Sequence, residues 1–95
     1  MNNPYLLLKY IGVLFMKITE SVSYRVKEIL KARKMTQYRL EQLTGISHNT
    51  MNSLLNCRYE SCNLKTIFII IEALDLSIHQ FFNCPAFEFF NLDIE

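Results

Sequence analysis

Apolar residues recur along this chain at helical spacing, in five short stretches separated by polar residues. Each stretch begins with a side chain that can accept a hydrogen bond from the first turn of a helix, namely Ser21 or Ser23, Thr36, Ser47, Asn63 and Ser77. The positions predicted to face a core follow in order: Val26, Ile29, Leu30, Leu40, Leu43, Met51, Leu54, Leu55, the run 64–74, Ile78, Phe81 and Phe82. The pattern predicts an all-α fold, a compact domain of five helices.

The expected helix ends carry signals of their own. The first helix is predicted to run to about Lys34, and Gly45 ends the second because glycine readily adopts the left-handed conformation. Ser77 and Gln80 have the spacing of a capping box, and Pro85 closes the fifth helix. We therefore divide the chain into an N-terminal extension at 1–20, a helical domain at 21–83 and a short C-terminal tail at 84–95.

The N-terminal extension is apolar and differs from the rest of the chain. The run 5–15 is broken once by Lys9, and it is shorter than the roughly 20 apolar residues that a membrane-spanning helix needs. It also lacks the basic start and small-residue cleavage site of a signal peptide. Met16 opens a stretch that looks like a natural start, so residues 1–15 are interpreted as an upstream extension. We expect a cytoplasmic protein with no membrane partner.

Charge is unevenly distributed, although the net charge of the chain is only +1. Between Ser21 and Lys65, eight lysines and arginines stand against three glutamates, a balance of +5, whereas the remainder of the chain carries −4. A basic segment between acidic flanks is typical of a nucleic-acid-binding surface. The alternative is a solvated helical surface that happens to be rich in lysine and arginine.

Catalytic and metal-binding patterns are absent from the sequence. Cys57 and Cys62 have no second pair of ligands, His48 and His79 lie far apart, and the three cysteines are too few and odd in number for a disulfide framework. No nucleophile stands beside a base, and no glycine-rich phosphate loop occurs. We predict that the protein is not an enzyme and holds no metal and no cofactor.

The most informative stretch is residues 36–56, in which two short capped helices are joined by a turn centred on Gly45. This is the outline of a helix-turn-helix. The second helix of the pair presents short hydrogen-bonding side chains that can reach base edges in a major groove about 12 Å wide. These are Ser47, His48, Asn49, Asn52 and Ser53. A structural interpretation stays open for two of them, with Ser47 serving only as a cap and Asn52 only solvated.

In these features the chain resembles the Cro/CI-type helix-turn-helix domains, the XRE family of small bacterial and phage regulators. The resemblance covers about residues 21–82 and is carried by Met35-Thr36-Gln37, Leu40, Gly45-Ile46-Ser47, Thr50-Met51, Leu54, Asn56, Leu74-Asp75-Leu76-Ser77 and Phe81-Phe82. It implies sequence-specific binding of double-stranded DNA by a homodimer that acts as a transcriptional regulator, with a repressor expected. The alternative is an antitoxin-like or other protein-interaction module on the same fold, with a protein partner.

The resemblance also implies roles for individual residues. His48, Asn49, Asn52 and Ser53 would face bases, and Ser47 and Thr50 would lie near the DNA backbone. Gln37, at the start of the second helix, would bond a phosphate and brace the recognition helix. The basic side chains best placed to neutralise phosphates are Arg25, Arg58 and Lys65.

Three departures from the family pattern stand out. Glu41 occupies a position where a small residue is usual, so it either loosens the helix crossing or curls toward the amides that begin the third helix. Cys57 replaces a glycine, which would strain a left-handed cap. Phe68 and Ile69 make the fourth helix apolar nearly all round, which predicts burial against something else. The candidates for a dimer interface are this edge, the run 5–15, and the tail residues Phe87, Phe89, Phe90, Leu92 and Ile94, although the tail could equally cover the core.

Overall fold

The structure, a computed structural model, describes residues 16–88 and the backbone of residues 92–93. Five helices follow one another in sequence: α1 (Ile18–Arg33), α2 (Gln37–Thr44), α3 (His48–Leu55), α4 (Leu64–Ala73) and α5 (Ile78–Phe82). A short 3-10 helix at Pro85–Phe87 continues the chain. Strand β1 (Met16–Lys17) pairs in parallel with β2 (Leu92–Asp93), a two-residue ladder that the sequence pattern did not predict. The predicted all-α fold with five helices is confirmed.

Four of the predicted helix starts are formed by the side chains expected there. Thr36 accepts a hydrogen bond from the backbone of Arg39, Ser47 from Thr50, and Asn63 from Lys65 and Thr66. Ser77 and Gln80 form the reciprocal capping box at the start of α5. These caps are local in sequence, which is why their spacing predicts them.

The predicted start of the first helix is wrong. Helix α1 begins at Ile18, and the side chain of Glu20 accepts a hydrogen bond of 2.8 Å from the backbone N–H of Lys17. Ser21 and Ser23 lie inside the helix and are buried, so neither is a cap. Their hydroxyls instead donate to backbone carbonyls of distant segments, those of Ala86 and Leu55.

One core joins all five helices. Each helix contributes fully buried side chains to this core, and so does Leu74, which directly follows α4. The side chains from the helices are Val22, Val26, Leu40, Met51, Ile70 and Phe81. Four apolar positions predicted to face the core are exposed instead: Leu64 at 61% and Phe68 at 42% in α4, and Leu43 at 42% and Ile78 at 52%. Leu43 and Ile78 each lie near the end of a short helix, and a short helix cannot bury all of its apolar side chains against the core.

The first part of the predicted tail belongs to the core. Cys84 and Ala86 are buried, and the ring of Phe87 packs edge-on against Phe82 with 4.9 Å between ring centroids. Phe87 therefore covers the core, which was the alternative to an interface role. The run 5–15, together with Phe89, Phe90, Ile94 and the side chain of Leu92, lies outside the described residues. In the described part of the chain, no helix has the length and hydropathy needed to cross a membrane.

Candidate nucleic-acid interface

Helices α2 and α3 form the predicted helix-turn-helix, joined by residues 45–47. Gly45 adopts the left-handed conformation with φ of 73°, and its N–H closes α2 by donating to the carbonyl of Glu41 at 2.9 Å. The hydroxyl of Thr44 donates to the carbonyl of Leu40 and accepts from the N–H of Ile46. The turn is therefore held by its own hydrogen bonds, and α3 starts in a fixed direction.

The inner face of α3 anchors the helix to the rest of the domain. Met51 and Leu55 are buried, and Met51 shares the core with Leu40 of α2. At the C-terminal end, the buried hydroxyl of Ser23 donates a hydrogen bond of 2.6 Å to the carbonyl of Leu55. The last turn of a helix leaves carbonyls without partners in the helix, and Ser23 satisfies one of them from α1.

The N-terminal end of α3 is held by a chain of three polar side chains. Gln37 donates from Nε2 to Oε2 of Glu41 at 2.9 Å, and Nδ1 of His48 lies 2.9 Å from the same oxygen. The Glu41 side chain is only 11% exposed, whereas that of His48 is 70% exposed. Glu41 thus contacts the start of α3 through the His48 ring. This is closer to the expectation that Glu41 curls toward the start of the third helix than to the expectation that it loosens the helix crossing.

The environment of Glu41 favours its charged form. The hydrogen bond from Gln37 lowers the pKa of this carboxyl, partial burial opposes the effect, and the contact with His48 adds to the lowering. A carboxylate at this position accepts from both neighbours at once, so Gln37 is linked to α3 through Glu41.

The outward face of α3 carries the four predicted base-reading residues. His48 and Asn49 are exposed, and Asn52 and Ser53 are half-buried. Asn52 is already engaged, because its Oδ1 accepts a hydrogen bond of 2.9 Å from Nδ2 of Asn56. Asn49 and Ser53 are four residues apart and so share one line along the helix. Among the described residues, neither of these two side chains has a hydrogen-bond partner.

A groove of about 270 Å³ runs beside this face, between α3, the loop 56–63 and the starts of α1 and α4. It is lined by Thr19, Asn49, Thr50, Ser53, Leu54, Cys57, Tyr59, Ser61, Cys62, Asn63 and Thr66. Burial raises the pKa of the Cys62 thiol, and the nearby Cys57 raises it further, so this thiol stays protonated at neutral pH. Cys57 has a φ of 53°, which places it in the left-handed conformation expected for the glycine it replaces.

Tyr59 is a residue of this region that the sequence analysis did not identify. Its side chain is 70% exposed and lines the groove together with Asn49 and Ser53. An aromatic residue next to Arg58, in the loop that follows α3, was the available signal. Such a side chain combines an apolar ring with a hydroxyl donor, which suits contact with a sugar-phosphate backbone.

The three predicted phosphate-neutralising residues differ in their surroundings. Arg25 is engaged inside the protein, with Nε donating to the carbonyl of Phe81 at 2.7 Å, Nη2 to that of Gln80 at 2.8 Å, and Nη1 to Glu28 at 2.6 Å. This guanidinium donates to two carbonyls at the C-terminal end of α5 and to Glu28, so Arg25 is engaged within the protein, and its phosphate contact stays a prediction. Arg58 and Lys65 are exposed, and their side chains make no hydrogen bond or ion pair within the described part of the chain.

The predicted backbone-contacting residues at the start of α3 are accessible. Ser47 and Thr50 are exposed, and the hydroxyl of Ser47 donates to that of Thr50 at 3.0 Å. Within residues 16–88, no three His, Cys, Asp or Glu side chains are grouped as a metal ion would require. The exposed side chains of this face can donate and accept hydrogen bonds.

The comparisons with known proteins give one match. A model of the Cro/C1-type HTH DNA-binding domain matches residues 25–86, which covers α2 to α5 and most of α1. The searches of curated proteins and of solved structures found no match. Since the family model spans well over half of the chain and the structure has the five helices in the expected order, this protein belongs to the Cro/C1-type helix-turn-helix family of DNA-binding domains.

Proposed function

We propose that this protein binds specific sequences of double-stranded DNA through α3 and represses transcription, as regulators of bacterial or phage type do. The observation that carries the proposal is the state of α3. Its two ends are fixed, by Ser23 on Leu55 and by the Gln37–Glu41–His48 chain, while Asn49 and Ser53 on its outward face have no side-chain hydrogen-bond partner among the described residues. A rigid helix with unsatisfied short donors and acceptors suits the major groove, where each base pair has a distinct hydrogen-bonding pattern.

We assign the principal base contacts to Asn49 and Ser53, at the centre of the outward face. An asparagine can pair in bidentate fashion with the N6 and N7 atoms of adenine, and a serine hydroxyl can bond either kind of base edge. His48 and Asn52 flank them and are partly committed to Glu41 and Asn56. They are proposed as secondary contacts with a fixed orientation.

Contacts with the DNA backbone are proposed for the start of the helix-turn-helix and for the loop after it. Ser47, Thr50 and Gln37 can donate to phosphate oxygens, and the helix dipole at the start of α3 favours a negative charge there. Arg58 supplies a charge on the other side of the reading face. Because such contacts carry no sequence information, they set affinity and register.

We further propose that the protein acts as a homodimer in the cytoplasm. One short recognition helix touches few base pairs, and pairing places two of them in successive major grooves about 34 Å apart on a near-palindromic site. Occupation of such a site by a regulator is sufficient to exclude other proteins from it, which is the simplest way to repress. A second candidate function, an antitoxin-like protein-interaction module, is favoured by the exposed apolar side chains of α4.

The test of base reading compares Asn49→Ala with the matched control Asn83→Ala, an exposed asparagine at the end of α5. A site is first selected from a random duplex pool with the wild-type protein, and affinities are then measured by fluorescence anisotropy. Asn49→Ala should lose about 1–3 kcal/mol on that site and relax the preference at one base pair. If the wild type selects no sequence, or if both variants behave alike, the proposal is refuted.

The test of phosphate contact uses Arg58→Ala, with Lys31→Ala on α1 as the control. Removing one phosphate contact should weaken binding to all duplexes and reduce the slope of log affinity against log salt by about one unit. A shift in base preference at unchanged slope would place Arg58 among the base contacts instead.

A further inference from the structure

Helix α4 presents an outward stripe that combines exposed apolar side chains with one charge of each sign. An open depression on this helix is lined by Leu64, Lys65, Phe68, Ile69 and Glu72. Leu64 is 61% exposed and Phe68 is 42% exposed, which is unusual for large apolar side chains so close together. The opposite face of α4 is fully occupied, because Ile67, Ile70 and Ile71 are buried in the core.

The order of these residues makes the stripe complementary to itself. In an antiparallel pair of identical helices related by a two-fold axis, facing residues have numbers with a constant sum. An axis midway between Phe68 and Ile69 sets Phe68 of one copy against Ile69 of the other. The same axis sets Lys65 against the second copy's Glu72. Lys65 and Glu72 are two turns apart on one side of the helix, about 10 Å along its axis.

We propose that a second copy of this chain docks on this stripe, with the two α4 helices antiparallel and Lys65 of each copy paired with Glu72 of the other. This inference rests on the proposed function, because it names the interface of the DNA-binding dimer. The phenylalanine and isoleucine form a dry centre that supplies affinity, and the two symmetric ion pairs at its ends fix direction and register. A parallel pairing would oppose like charges and is disfavoured.

The pairing gives Lys65 a role that differs from the predicted phosphate contact. Its side chain has no ion-pair partner in the described part of its own chain, and neither does that of Glu72, although each is exposed on a face with apolar neighbours. Of the apolar segments of the same chain, the run 5–15 has one charged side chain, Lys9, and residues 89–95 have only acidic ones, so each could pair with one of the two charges and would leave the other unpaired. Only an occupant with the opposite order of charges satisfies the whole stripe, and a second copy in antiparallel orientation has that order.

The test is a charge exchange in the full-length protein. Lys65→Glu and Glu72→Lys are made singly and together, with Lys31→Glu as the control, and sedimentation equilibrium measures association across the micromolar range. The wild type should approach twice the chain mass of 11.2 kDa. Each single variant places like charges opposite each other twice in the dimer and should weaken association at least about tenfold. The double variant restores opposite charges and should return most of the affinity.

The circular-dichroism melting temperature of each variant separates association from folding, since all of the exchanged side chains are exposed. A wild type that stays monomeric, single variants that dimerise normally, or a double variant no better than the singles would each overturn the pairing. DNA affinity of the wild type is measured in parallel. Duplex binding by a monomer refutes this interface and the homodimer but leaves the proposed DNA binding standing, whereas a charge-dependent dimer that binds no duplex refutes the proposed DNA binding and leaves the interface standing.

Discussion

Ser23 offers a sharp test of how the fold positions the recognition helix. Its side chain is buried in the interior of α1, and its hydroxyl donates a 2.6 Å hydrogen bond to the carbonyl of Leu55, the last residue of α3. Ser23→Ala removes the donor with little change in volume. Because that carbonyl is then buried without its partner, the free energy of unfolding should fall by about 1–3 kcal/mol.

Ser21 provides a matched control on the same helix. It is also buried, and its hydroxyl donates at 2.8 Å to the carbonyl of Ala86, on the side of the domain that the tail covers. Ser21→Ala should therefore cost a similar free energy of unfolding. In a domain of this size, each kcal/mol lowers the melting temperature by about 4–8 °C.

The two variants should differ in DNA affinity. Without the Ser23 hydrogen bond, the end of α3 becomes ordered only when DNA binds, and this ordering lowers the binding free energy. A loss of about 1 kcal/mol of binding free energy corresponds to roughly fivefold weaker binding. Ser21→Ala should bind as the wild type does, when both are measured by anisotropy well below their melting temperatures. Equal loss of affinity in both variants would refute the positioning role of Ser23, and an unchanged melting temperature in either would refute the buried bond.

Three further predictions concern backbone strain and pH. Gly45→Ala should lower the free energy of unfolding by about 1–2 kcal/mol, because φ is 73° there while an added Cβ would meet no atom within 4 Å. Cys57→Gly, at φ of 53°, should leave stability unchanged or raise it by up to about 1 kcal/mol, since relief of strain exceeds the added freedom of the unfolded chain. Urea titrations check both, and the reverse order of the two variants would contradict the conformational argument. The third prediction follows from the lowered pKa of Glu41, whose contribution to stability is present above the ordinary value of 4.5 and is lost as pH falls through the folded-state value. The stability of Glu41→Gln should therefore depend less on pH than that of the wild type in acid, and parallel curves would show that Glu41 is not the group responsible.

The local features of the fold were predicted well from the sequence. Thr36, Ser47, Asn63 and Ser77 cap their helices, and Gly45 takes the left-handed conformation, as the spacing indicated. Each of these depends on hydrogen bonds between residues two to four positions apart. The helix-turn-helix and its outward polar face follow from the same local signals, so the position of the candidate interface could also be predicted.

The contacts that fix this interface could not be predicted in the same way. Ser21 and Ser23 have the residue type of caps but act as buried donors, and Arg25 has the residue type of a phosphate contact but holds the end of α5. Their partners lie 32 to 65 residues away in sequence. A polar side chain has the same capacity for hydrogen bonding at any position in the sequence. Only the packing of the helices decides whether it bonds to a distant carbonyl or stays available to an external ligand. The sequence alone therefore determined the five helices, four of their starts and the outward polar face of α3, and the tertiary structure decided which polar residues bond within the fold and which stay exposed without a partner.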